Sequence, residues 1–162
     1  MGRIAILTRG LWRLRHEIGA LTDLSPVFWD PLRRPSFDAV AGWGHKPTAD
    51  WARQLAKHAS APYFAFEDGP LRSVKPGPGQ PPVGLVMDRA GIYYRADSGS
   101  DLVGLAIRAD WFVPEIENRA LQAVETLRRL RLSKYNSGPD RSAGELGLPP
   151  ARGSRILVLD QV

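Results

Sequence analysis

An apolar run that stops at two adjacent carboxylates constrains this chain more than any other stretch. Tyr63-Phe64-Ala65-Phe66 leads into Glu67-Asp68, then a Gly69-Pro70 turn, then Leu71-Arg72-Ser73. Aromatic and apolar residues bounded by Gly and Pro predict a buried strand. The carboxylates then stand at its C-terminal end, where open α/β sheets place their ligand sites. Glu67 and Asp68 are neighbours, so an extended backbone aims them to opposite sides. At most one then faces a given substrate, unless the turn rotates both. The same residues also fit a polar turn in which a carboxylate pairs with Arg72.

The flanking sequence repeats short apolar runs between helical patterns. Arg3–Leu7 predicts a first strand, and Leu11, Leu14, Ile18 and Leu21 have helical spacing. Asp23–Phe37 is proline-rich and predicts an irregular excursion, with a weak strand near Val27–Trp29. Ala39–Gly42 predicts a buried strand. Pro47-Thr48-Ala49-Asp50 opens a helix with Thr48 as N-cap, and Trp51, Leu55 and Ala59 form its inner face. Gly84–Met87 and Ile92–Tyr94 flank Asp88-Arg89-Ala90-Gly91 and predict a hairpin. Ser100 can cap a short helix. Pro114–Leu132 predicts a long one, with Ile116, Ala120, Ala123, Leu127 and Leu130 along one face. The fold class is therefore α/β. Residues 1–136 form the domain and Ser137–Ser154 reads as a linker. Arg155–Val162 reads as the first strand of a second α/β domain, cut short.

The bulk composition narrows the chemistry. A chain of 162 residues can bury one real core. Cysteine is absent, which excludes disulfides, thiolate nucleophiles and thiolate metal sites. No apolar run reaches the roughly 18 residues of a membrane span, and the apolar start is too short for a secretory signal. A cytoplasmic location is the default expectation. The formal net charge is +5, supplied mainly by arginine, and it favours anionic partners. Arg128, Arg129 and Arg131 lie at a helix end, where they complement the helix dipole. The glycines of Lys75–Pro82 do not form a P-loop, since no Gly-Lys-Ser/Thr follows. His16 and His58 have no partner at ligand spacing, so no metal site is expected.

Several pieces stand in order: Gly10-Leu11-Trp12-Arg13, Gly42-Trp43-Gly44-His45-Lys46-Pro47, Glu67-Asp68-Gly69-Pro70-Leu71-Arg72-Ser73, and Pro81–Asp88 with Gly91–Tyr94. Leu132–Asn136 and Val158-Leu159-Asp160-Gln161 close the series. Together they resemble the N-terminal part of capsular polysaccharide biosynthesis/export proteins of the KpsC/LipB type. That resemblance implies a retaining β-Kdo glycosyltransferase built from two facing Rossmann-like domains, similar to GT-B. This chain would then be the N-terminal, acceptor-side domain. The implied donor is CMP-Kdo, as substrate and not as cofactor, and no other cofactor is implied. The implied acceptor is a lipid-linked acidic glycan on the cytoplasmic face of the inner membrane, with capsule assembly and export proteins as partners.

The resemblance also assigns roles. Glu67 matches the glutamate that faces the active site and is the catalytic candidate. Asp160 and Gln161 match the pair at the edge of the donor domain. The family's nucleophilic aspartate lies just after that pair, so the chain alone is expected to be inactive. Candidate substrate contacts are Asp68, Arg72, Ser73, His45, Lys46 and Lys134. Asp68 equally fits holding the turn, His45 a packing role, and Lys134 a helix-end cap. Pro70 replaces the aromatic residue, and Arg95 the acidic one, that the family usually carries. Two other readings remain at this stage: a non-catalytic basic α/β module for an anionic partner such as nucleic acid, and a structural component of capsule export. The chain lacks an RNP-type motif and a clear helix-turn-helix, and no nucleic acid is expected.

Overall fold

The computed structural model describes residues 1–148, apart from Pro78 and Ala109, together with Gly153. Five strands form one sheet: β1 (Arg3–Ile6), β2 (Ser25–Phe28), β3 (Ala39–Trp43), β4 (Tyr63–Asp68) and β5 (Leu85–Asp88). Their order is β2-β1-β3-β4-β5. The first four run parallel, and β5 runs antiparallel to β4. The expected α/β architecture is present.

Side-chain alternation divides the core into two layers. Ile4, Ile6, Ala39, Ala41 and Phe66 pack on one face against Leu11, Leu14 and Ile18. Ala5 and Val40 pack on the other, against Ala52 and Ala56. The predicted helix over Leu11–Leu21 is two pieces, α1 (Arg9–Trp12) and α2 (Arg15–Thr22). Thr8 caps the first by accepting the Leu11 N–H. The break leaves Leu11, Leu14 and Ile18 all buried while Leu21 is exposed.

Helix α3 (Asp50–His58) is entered through a 3-10 turn over Pro47–Ala49. Thr48 is therefore not its cap; Ala49 holds that position and makes no side-chain bond. The expected inner face is also replaced. Ala52 and Ala56 face the sheet, Leu55 is half-buried, and Trp51 and Ala59 are exposed. Close approach of helix to sheet needs small side chains there, and the two alanines supply them.

The expected hairpin across Asp88–Gly91 does not form. Segment 85–88 pairs with β4 instead, and Ile92–Tyr94 is not a strand. The buried Asp88 carboxylate ends β5: its Oδ1 accepts N–H bonds from Ala90 (3.0 Å), Gly91 (2.9 Å) and Asp101 (3.1 Å). Ser100 caps α4 (Asp101–Ile107) as expected, accepting from Leu102 and Val103. Helix α5 (Pro114–Arg129) forms, but its expected inner face buries no residue; Ile116 and Leu127 are half-buried. Residues 137–148 carry neither helix nor strand. The expected strand 155–162, including Asp160 and Gln161, lies outside the described residues.

Candidate active-site cleft

Parallel pairing of Trp43 with Phe66 brings the loop after β3 beside the carboxylates that end β4. Phe64 and Phe66 point to the α2 side of the sheet, so Asp68 does too; Glu67 takes the α3 side with Tyr63 and Ala65. The two carboxylates accordingly meet different neighbours.

Glu67 is 8 % exposed. Its Oε1 lies 3.7 Å from Lys46 Nζ and accepts the Asp68 N–H at 3.2 Å. Its Oε2 is buried and has no hydrogen-bond partner among the described residues. Gly44 makes room for it: a Cβ at Gly44 would lie 3.0 Å from Oε2 and collide with the Tyr94 hydroxyl. Gly44 also has φ of 53°, which disfavours any other residue. The Tyr94 hydroxyl accepts the His45 N–H at 2.9 Å, fixing that loop. Burial, reinforced by the Glu67 charge, pushes the Tyr93 phenol up.

Asp68 pairs with Arg72, whose Nε lies 3.4 Å from both carboxylate oxygens. Arg72 also donates from Nη1 to the Gln80 carbonyl, so it braces the loop and does not orient Glu67. Asp68, Arg72, Arg13 and Trp43 line a cavity of about 570 Å³. The buried Ser73 donates its hydroxyl to the Lys75 carbonyl at 2.6 Å, an internal loop bond. Lys134 holds its ammonium 5.9 Å from the Tyr135 ring centroid, and its carbonyl accepts the Arg72 and Ser73 N–H groups.

His45 stands apart from Glu67. Its ring lies 6.1 Å from that of Tyr63 and lines a separate cavity of about 360 Å³. Burial first, then the Arg53 charge, pushes its imidazole below the usual histidine range. Burial also pushes the Tyr63 phenol up to about 12; its hydroxyl donates to the Gly44 carbonyl at 2.8 Å. The structure therefore gathers Glu67 with Lys46, and Asp68 with Arg72. Sequence reasoning missed Gly44, Arg13, Trp43 and the hydroxyl of Tyr94 as parts of these surroundings. The Gly-Trp-Gly sequence carried a signal for Gly44, but nothing local linked Tyr94 to it. Among the described residues, no group of three His, Asp or Glu side chains is placed to hold a metal ion. No described helix is long and apolar enough to cross a membrane.

A five-stranded, mostly parallel sheet with carboxylates at the end of a strand defines an α/β protein of Rossmann-like type, and comparison makes the family definite. The chain belongs to the capsule polysaccharide biosynthesis protein family, whose pattern it matches over residues 38–142. It is 36% identical over 157 residues, 96% of its length, to the capsule polysaccharide modification protein LipA of Neisseria meningitidis serogroup A. The serogroup B LipA gives the same 36% identity over 157 residues. The chain spans 22% of the length of these curated relatives. The solved structure of Thermosulfurimonas dismutans KpsC, beta Kdo 2,4 transferase, is similar with a TM-score of 0.77 at 36% identity. That match covers 88% of this chain and 44% of the KpsC chain.

Proposed function

We propose that this chain is the acceptor-side part of a retaining β-Kdo glycosyltransferase of capsule assembly, with Glu67 as its catalytic carboxylate. The observation that carries this reading is the buried Glu67 with an unpartnered Oε2, held beside Lys46 at the C-terminal edge of the parallel strands. A buried acceptor atom left unpaired costs stability, and such groups concentrate where chemistry needs them.

In the reaction, the bond from the anomeric carbon of Kdo to the CMP phosphate oxygen breaks, and CMP leaves with the electron pair. Retention requires two displacements, with a carboxylate nucleophile holding the sugar between them. The task proposed for Glu67 is the complementary one, proton transfer at the acceptor. Its Oε2 takes the proton of the acceptor hydroxyl as that oxygen bonds to the anomeric carbon. Lys46 supplies positive charge beside it for the acidic sugars. The acceptor is a lipid-linked poly-Kdo chain presented at the cytoplasmic face of the inner membrane.

The test is release of CMP from CMP-Kdo by the full-length protein in the presence of a Kdo-terminated acceptor. Glu67→Gln is expected to lower turnover by about 100-fold or more, the range of a lost acid–base group. Folded protein that releases no CMP, or a Glu67→Gln variant with undiminished turnover, would overturn the assignment.

A further inference from the structure

The sheet reverses its direction of growth at β1, which has β2 on one side and β3 on the other. The connections after β1 and β3 therefore diverge, leaving the crevice where open α/β sheets take ligands. A cavity of about 690 Å³ opens at this point, between the ends of β1 and β3 and one side of α3 along its length to His58. Glu67 does not line it.

Two indoles wall this cavity. Trp29 follows β2, and its backbone N–H donates to the Ile6 carbonyl at 2.9 Å, which anchors the residue beside the end of β1. Trp51 stands on the first turn of α3 and is 77 % exposed. Its direction is imposed by the helix phase, since Ala52 and Ala56 occupy the sheet-facing positions. An indole left in water forgoes on the order of 2 kcal/mol of burial. The fold holds that large apolar surface at the mouth of a cavity.

Apolar side chains complete most of the wall, and the polar side chains that line it are Thr8, Thr48, Gln54 and His58. No Lys, Arg, Asp or Glu is among the described residues that line it, in a chain with 22 Lys and Arg and 17 Asp and Glu. That lining discriminates between ligand classes. A phosphate or a sugar acid needs cationic or clustered N–H partners, which the Arg72 and Lys46 surroundings offer and this cavity does not. An alkyl chain would leave all four of these hydrogen-bonding groups without a partner on the ligand. An uncharged pyranose satisfies both requirements. Its C–H face lies on an indole, and its hydroxyls meet the amide, the imidazole and the threonine hydroxyls.

We infer that this cavity is a second saccharide site, taking an uncharged hexopyranose unit of a glycan, distinct from the surroundings of Glu67 and Lys46. Thr8 also lines the Asp68–Arg72 cavity, so a glycan seated on the tryptophans passes beside the carboxylate edge. The inference rests on Trp29, Trp51 and a described lining without Lys, Arg, Asp or Glu, and holds whether or not Glu67 catalyses Kdo transfer.

The test needs no donor sugar. The full chain is titrated with methyl β-D-glucopyranoside, methyl β-D-galactopyranoside, maltose and lactose by calorimetry, with indole N–H resonances followed by NMR. At least one of them should bind saturably with Kd of about 1 mM, corresponding to about −4 kcal/mol. The binding should be insensitive to salt, with shifts concentrated at Trp29 and Trp51. Trp51→Ala should weaken it at least about fivefold while leaving the melting temperature unchanged, since that indole is exposed; Trp51→Phe should restore part of the loss. Absence of saturable binding by all four saccharides overturns the inference. Undiminished binding in Trp51→Ala, or tighter binding of cytidine or octyl alcohol at the same indoles, overturns it too.

Discussion

The phenol of Tyr63 fills the space that a side chain on Gly42 would need. A Cβ built at Gly42 would run into the Tyr63 hydroxyl and ring. The two residues sit on adjacent parallel strands, β3 and β4, and the hydroxyl goes on to bond the Gly44 carbonyl. Gly42→Ala is therefore expected to destabilise the fold by about 1–3 kcal/mol, the range of overpacking in a filled interior. Urea unfolding measures this. Gly42→Ala combined with Tyr63→Phe should recover part of the loss, because the hydroxyl makes the closest approach.

The same tyrosine sets an alkaline limit on stability. Its folded pKa of about 12 lies above the usual phenol value of 10.0, because burial disfavours the phenolate. The unfolded chain loses this proton first, so the contribution is intact below pH 10 and lost as pH rises toward 12. Unfolding followed by circular dichroism across that window should show the decline. Tyr63→Phe should flatten it.

His45 acts at the other end of the scale. Its folded pKa is lowered from 6.5, by burial and then by Arg53, so the folded state prefers the neutral ring. The unfolded chain binds the proton more readily. Stability from this group is present above pH 6.5 and falls as pH drops through the folded value. His45→Gln should reduce the pH dependence of the melting temperature between neutrality and pH 5, and an unchanged slope would count against it.

Asp88 and Glu67 should separate stability from activity. Asp88→Ala removes the acceptor of three N–H bonds and is expected to cost about 2–4 kcal/mol in urea unfolding. Glu67→Gln removes a carboxylate with one unpartnered oxygen and an ion pair to a half-exposed lysine. Its effect on stability should stay within about 1 kcal/mol. A much larger loss would make Glu67 a structural residue.

A strand over Tyr63–Phe66 and the divergence of the two carboxylates after it were legible because both follow from an apolar run and a period of two; that the strand continues through Asp68 was not. The Asp68–Arg72 pair was legible as one of two readings of the turn. Trp51 was not: hydrophobicity ranks it first for the core, but the phase of α3 is decided by which side chains let the helix approach Ala5 and Val40. The partner of 85–88 was not legible either. A local turn at 88–91 competes with a strand some twenty residues earlier, and the three N–H bonds to Asp88 settle that contest only in three dimensions. Glu67 could be picked out in the sequence, but its companion Lys46 lies 21 positions away and meets it only because β3 and β4 are neighbours.

The Lys134 carbonyl accepts from both Arg72 and Ser73, and Asn136 donates to the Val74 carbonyl. Arg72 in turn grips Asp68 at the end of β4. The segment following α5 is therefore stitched by backbone hydrogen bonds to the loop after β4, and through Arg72 to the strand end that carries Glu67.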